Sequence, residues 1–250
     1  MIQIQTLESW CDQQLQPENF SDYCPNGIQV ENSKEVQRLV SGVTACQALL
    51  DAAIEWDADA ILVHHGYFWK GEPESLTGIK GNRIRTLMKN NISLLAYHLP
   101  LDAHPLFGNN VQLGKRLQLL NAAAIDSSGG LLWSAELQHP VTPQQLSEII
   151  TQAIDRKPLH IAAGIEQIQR IGWCTGGAQN YIDQAADLAL DAFISGEISE
   201  STVHTARERN IHYYAAGHHA TERYGVQALG DAIASEFGII HRYIEIDNPA

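Results

Sequence analysis

Apolar residues fall into short unbroken runs, separated by segments in which they recur every three or four positions. Residues 38–43 (RLVSGV), 60–63 (AILV) and 92–97 (ISLLAY) read as buried strands. Residues 131–137, 168–174, 192–195, 211–216 and 239–246 read the same way. Between them the period changes to that of a helix. Residues 45–56 place Leu49, Leu50 and Ile54 on one face. Further helices are expected over 81–89, 110–120, 143–154, 178–188, 199–209 and 220–237. Pro143 stands at a first turn, where its missing N–H costs nothing. Continuous apolar strands alternating with amphipathic helices predict an α/β protein with sheets covered by helices.

The order repeats. Shifted by 132 residues, Arg38-Leu39 falls on Arg170-Ile171, Gln47 on Gln179, Asp51 on Asp183, Ala53 on Ala185 and Asp59-Ala60 on Asp191-Ala192. Shifted by 119, residues 91–96 (NISLLA) fall on 210–215 (NIHYYA). Two related α/β repeats are expected, residues 1–125 and 126–250.

Composition narrows the function. Of 250 residues, 44% are hydrophobic and 18% charged, which supplies a core and argues against global disorder. Sixteen Lys and Arg stand against 29 Asp and Glu, a net charge of −13, so phosphate-backbone binding is not expected. That would change only if Lys70, Lys80, Arg83 and Arg85 converged. No run approaches the roughly 20 apolar residues of a membrane span. The opening MIQIQTLESWCDQQLQ lacks the basic and apolar regions of a signal peptide, so a cytoplasmic protein is expected. Cys11, Cys24, Cys46 and Cys174 form no CxxC pair and read as reduced thiols.

Histidine is the exception, at 11 residues against 5 Trp and 5 Phe. Many of the 11 cluster just past a buried strand. His64-His65 follow AILV, His98 to His104 follow ISLLAY, and His218-His219 follow IHYYAAG. Glu197 follows AFIS. Sites in open α/β sheets form beyond the carboxyl ends of strands. Adjacent His64 and His65 suit a two-metal centre, provided the strand ends there and Gly66 turns the chain; otherwise one of them is a core residue. Either His218 or His219 could share a helix face with Glu222. Pro100 places Asp102 in a loop, flanked by His98 and His104 as supporting or solvent-facing residues. Mixed imidazole and carboxylate ligands favour Mn, Fe, Co, Ni or Zn over Ca or Mg. Two such ions would activate a bridging water as hydroxide.

The chain carries no GxSxG, no Walker A and no GxGxxG after a strand. Cys174-Thr175-Gly176-Gly177 could receive an anion at a helix start, but reads first as a tight strand-to-helix turn.

Five segments together resemble a known family: SDYCPNGIQVE (21–31), HHGYFWKG (64–71), YHLPLDAHPLFGNN (97–110), SGEISE (195–200) and GHHATE (217–222). They are similar to the Nif-three-like dinuclear-metal family, whose members are often described as type-two homologues of GTP cyclohydrolase I, and most of all to its short bacterial YbgI-type branch. The resemblance implies two intertwined α/β repeats with mixed sheets. It implies toroidal homohexamers, trimers of dimers. It implies His64, His65, Asp102, His218 and Glu222 as ligands of two divalent transition-metal ions per subunit. A plausible division puts His64 and Asp102 on one ion, His65 and His218 on the other, and Glu222 between them. Here Gly66 replaces a common Pro, Leu99 replaces a common Thr, and the inserted central domain of longer members is absent.

The function so implied is a hydrolase of the GTP cyclohydrolase type, acting on a nucleotide or similar small substrate. Metal-activated hydroxide would attack C8 of a guanine ring and release formate. Glu222 and His98 are the expected catalytic residues, with Glu197 or His204 as further proton carriers. The alternative is a metal-dependent regulatory or ligand-binding hexamer without turnover.

Overall fold

Strand-forming runs and helical faces assemble in the order the sequence predicts, with further elements before residue 38 and between the predicted ones. The computed structural model describes residues 1–119 and 121–250. The expected helix end at Leu120 lies outside the described residues. The elements are β1 (Ile2–Gln3), α1 (Ile4–Leu15), β2 (Gly27–Val30), β3 (Glu35–Val36), β4 (Arg38–Thr44), α2 (Gln47–Glu55), β5 (Ala60–His65), α3 (Gly78–Lys89) and β6 (Ser93–Ala96). There follow α4 (Leu99–Ala103), α5 (Asn109–Arg116), β7 (Ala123–Ala124), β8 (Trp133–Val141), α6 (Pro143–Ile154), β9 (Leu159–Ile161) and β10 (Ile168–Cys174). The last are α7 (Ile182–Asp187), β11 (Ala192–Ser195), α8 (Glu200–Glu208), β12 (His212–Ala215), α9 (His218–Phe237) and β13 (Ile240–Tyr243). Among the described residues, no helix is long and apolar enough to cross a membrane.

The chain forms two compact units. The first comprises residues 1–101 and 225–247. Its sheet runs β13-β4-β5-β6-β2, with the first four strands parallel and β2 antiparallel. Parallel strands covered on both faces must be apolar throughout, and residues 39–43 and 60–64 are buried without a break. Their core joins Val40, Ile61, Val63 and Leu94 to Leu49 and Leu50 of α2 and Ile84 and Leu87 of α3. Each such side chain contributes about 1.5–3 kcal/mol on burial. At Gly42 a Cβ would stand 2.6 Å from Leu49 Cδ2, so the missing side chain is what lets α2 sit this close.

The second unit comprises residues 102–224 and 248–250. Its sheet runs β7-β8-β10-β11-β12-β9. β10, β11 and β12 are parallel; β8 and β9 are antiparallel to their neighbours. α6 occupies its predicted span behind a capping box, with Thr142 and Gln145 each satisfying the other's backbone N–H.

The repeat is visible in hydrogen bonds. Asp59 Oδ2 accepts from the backbone N–H groups of Gln37 and Arg38 at 2.8 and 2.9 Å. Asp191 Oδ2 accepts from those of Gln169 and Arg170 at 2.8 and 2.7 Å. Arg38 donates to the Trp56 carbonyl and Arg170 to the Leu188 carbonyl, again 132 positions on. Ser93 N–H meets Asp59 O, and His212 N–H meets Asp191 O, each at 3.0 Å, which reproduces the shift of 119.

Two local expectations change. Asp102 is not in a loop. α4 starts at Leu99 and takes Pro100 into its first turn, where a missing N–H breaks no bond. β5 does not stop before the histidines but includes both, and Gly66 follows it directly. α3 also starts three residues earlier than the periodicity implies, at Gly78, and α9 two earlier, at His218. β1, α1, β2, β3, β7 and β9 have no counterpart in the sequence reading.

Candidate functional site

In the first unit the parallel strands deliver their polar residues at their carboxyl ends. His64 is fully buried, and its Nδ1 lies 2.9 Å from the Tyr97 carbonyl. A carbonyl can only accept, so Nδ1 carries the hydrogen and Nε2 keeps its lone pair. His65 Nδ1 is 3.2 Å from Thr44 Oγ1, its register partner on β4. The two rings lie 4.5 Å apart. His98 joins them, with ring centroids 5.0 Å from His64 and 5.8 Å from His65. A ring nitrogen from each of the three lies within 4.8 Å of the others. Trp69 packs edge-on against His98 at 5.0 Å.

His98 is held from outside the sheet. Its Nδ1 donates to Asp22 Oδ1 at 2.6 Å, and its backbone N–H donates to Asn26 Oδ1 at 2.8 Å. Burial pulls the Asp22 pKa up, but the bonds from His98 and Asn26 outweigh it and hold the carboxyl below its ordinary range.

In the second unit, Asp102 is buried and accepts on Oδ1 from Asn109 Nδ2 at 2.8 Å and Thr175 Oγ1 at 3.3 Å. Asn110, also fully buried, bonds the Asp102 carbonyl and the Thr175 N–H. One turn of α9 carries His218 and the buried Glu222, with His218 Nε2 3.2 Å from Glu222 Oε2. His218 Nδ1 lies 2.8 Å from Glu197 Oε1. Burial lowers the His218 pKa, yet its bonds to Glu222 and Glu197 and their charges raise it to about 9. Glu222 thus pairs with His218, while His219 is buried.

The glycine turn of residues 174–177 is a floor for Glu222. Gly176 has φ +68°, and a Cβ there would lie 2.0 Å from Glu222 Oε1 and 3.2 Å from His218 Nε2. Its N–H donates to Thr221 Oγ1 at 3.0 Å. The helix that follows, α7, is only six residues long. The turn thus packs beneath Glu222 and His218.

Two candidates go elsewhere. His104 accepts from the Leu106 and Phe107 N–H groups and stacks on Phe107, so it stabilises its own turn. His204 is exposed on α8. Lys80, Arg83 and Arg85 lie on α3, where Lys80 pairs with Glu72 and Arg85 bonds Asn82. Residues the sequence did not single out are Thr44, Asp22, Asn26, Asn109 and Asn110, while Thr175 was noted only as part of the glycine turn. Four of them, Asp22, Asn26, Asn109 and Asn110, fall inside the quoted motifs, which was the available signal.

A family model described as Duf34/NIF3 (NGG1p interacting factor 3) matches residues 2–249. A protein of Allochromatium vinosum named GTP cyclohydrolase 1 type 2 homolog is 54% identical over 100% of this chain and 98% of its own length. The Escherichia coli K12 protein of the same name is 49% identical over 98% of each chain. The solved structure of protein ybgI, of unknown function, superposes with a TM-score of 0.96 at 47% identity over the whole of both chains. That of TTHA1606 from Thermus thermophilus gives 0.90 at 28% identity, again over the whole of both chains. The chain therefore belongs to the Duf34/NIF3 family.

Proposed function

We propose that this protein binds two divalent transition-metal ions through His64 and His65 of the first unit and Asp102, His218 and Glu222 of the second, and uses them to hydrolyse a nucleotide or similar small substrate. One observation carries the reading. Four histidines at these strand ends have their Nδ1 engaged by an oxygen: His64 by Tyr97 O, His65 by Thr44 Oγ1, His98 by Asp22 and His218 by Glu197. Metal-ligating histidines are fixed in this way, with the far nitrogen presented as the ligand.

The donor set fits such ions. It offers imidazole and carboxylate and no thiolate, which suits Fe, Mn, Zn, Co or Ni in an open site. Within the second unit, Glu222 and His218 already face one another over a glycine that leaves room for nothing larger. Bound ions would supply Lewis acidity and an activated water.

The remaining chemistry belongs to the chain. His98 presents Nε2 as a proton acceptor, since its Nδ1–H donates to Asp22 Oδ1. Glu197, at an exposed position on His218 Nδ1, is placed to exchange a proton with solvent. Glu222 is the carboxylate whose loss would remove both a ligand and a base. Relatives carry the name GTP cyclohydrolase 1 type 2 homolog, and the reaction this reading assigns is opening of a guanine ring at C8 with release of formate.

Metal-reconstituted protein incubated with GTP and a nucleotide panel tests this reading. Turnover above a Glu222→Ala control is expected. Two bound ions without turnover would favour the non-catalytic, ligand-binding alternative.

A further inference from the structure

We propose that Asp22 and Asn26 are positioning residues that lock the His98 ring in its Nδ1–H tautomer, leaving Nε2 as the acceptor beside the His64–His65 pair. The inference rests on the proposed metal-dependent reading of that histidine cluster, which uses only the Asp22–His98 contact, and it gives a role to the rest of the SDYCPNG segment.

The geometry is a two-point clamp reaching across more than 70 residues of chain. Asp22 Oδ1 accepts from His98 Nδ1 at 2.6 Å, and Asp22 Oδ2 accepts from Leu99 N–H at 3.0 Å. Asn26 holds both ends of the same clamp: its Oδ1 accepts from His98 N–H at 2.8 Å and its Nδ2 donates to Asp22 Oδ2 at 2.9 Å. The Tyr23 N–H adds a bond to Asp22 Oδ1 at 2.6 Å. One carboxylate therefore orients the ring and also satisfies the first N–H of α4, the helix that runs on to Asp102.

The same contacts decide against a third metal site. Donor atoms of Asp22, Cys24 and His98 lie within 4.8 Å of one another. A carboxylate has about four lone-pair positions, and Asp22 already accepts four hydrogen bonds. Cys24 is buried, and burial with the nearby Asp22 charge pushes its thiol up to about 12, so it stays protonated at neutral pH. A saturated acceptor and a neutral thiol make a positioning cluster rather than a ligand set.

The consequence is a tautomer that an amide cannot enforce. Asn at position 22 would keep one acceptor oxygen and replace the other with an NH2 group. That group must face either His98 Nδ1 or a cluster of N–H donors, and facing Nδ1 it moves the ring hydrogen to Nε2.

The test is long-range 1H–15N correlation on the full chain labelled with 15N-histidine, both metal-free and zinc-loaded, with His98 assigned by loss of its signals in His98→Gln. Wild type is expected to show a single Nδ1–H tautomer. Asp22→Asn, which preserves volume, is expected to show a majority of Nε2–H or a mixture. Asn26→Ala, which leaves the Asp22–ring bond, is expected to keep the wild-type tautomer, and it provides a second folded reference. A wild-type ring that is Nε2–H, or an Asp22→Asn ring unchanged from wild type, overturns the proposal. Zinc content measured on the same samples separates the two readings. Wild type that binds no zinc defeats the metal assignment and leaves the tautomer result standing. Normal zinc with an unchanged tautomer in Asp22→Asn defeats the clamp alone.

Discussion

Glu197 Oε1 lies 2.8 Å from His218 Nδ1, and on the other side of the ring Nε2 lies 3.2 Å from Glu222. The imidazole is thus oriented by one carboxylate and presented beside another. Partners of this kind are worth about 10–100-fold in metal affinity. Glu197→Gln is expected to weaken binding of the ion held by His218 by that factor, with the fold intact. Isothermal titration with Zn or Mn reads it directly; unchanged affinity would remove Glu197 from the account.

His218 links the site to pH in the metal-free protein. Burial alone would lower its pKa, but Glu222 and Glu197 raise it to about 9, above the ordinary value near 6.5. A raised folded-state pKa gives stability that is complete below about pH 6.5 and is lost as pH climbs through 9. Thermal melts in chelator are therefore expected to show Tm falling between these limits, with a flatter profile in His218→Gln. Because a metal needs the unprotonated nitrogen, binding near pH 7.5 should release a proton from His218, visible as a buffer-dependent heat.

Gly176 is required twice over. Its φ of +68° favours glycine, and a Cβ would fall 2.0 Å from Glu222 Oε1. The backbone cost to Ala is about 1–2 kcal/mol. The larger expected effect is on Glu222, which must move. Gly176→Ala should bind less metal than wild type by plasma mass spectrometry even where circular dichroism shows it folded.

Asp59 and Asp191 make the same pair of bonds to successive backbone N–H groups in their own units. Bonds to a charged acceptor are worth about 1.5–3 kcal/mol. Asp59→Ala and Asp191→Ala are each expected to cost that much in urea unfolding. A cost at only one site would mean that the repeat is not energetically equivalent.

The strands were legible because a parallel sheet covered on both faces tolerates almost no polar interruption, as in residues 39–43 and 60–63. The repeat was legible because Asp59 and Asp191 serve the same backbone groups. Histidines at strand ends were legible because the carboxyl ends of strands are where open α/β sheets form their sites. Other features left no periodic mark. α1 begins after Gln3 without a side-chain cap, so nothing local announces it. α4 crosses Pro100, which read as a stop. β13 looks like any strand in the sequence, and only its pairing with Arg38–Ser41 reveals that the chain returns to the first sheet. Asp22 and Asn109 act through hydrogen bonds set by the fold, which spacing cannot express.

The central claim is a dinuclear centre built from His64, His65, Asp102, His218 and Glu222. Its most direct test is a crystal of metal-reconstituted protein, with anomalous data collected on both sides of the absorption edge of the metal used. The account predicts two anomalous peaks per chain, with these five side chains as the protein ligands at about 2.0–2.2 Å. No anomalous peak, a single ion, or ions held by other residues while these five remain unligated would contradict it.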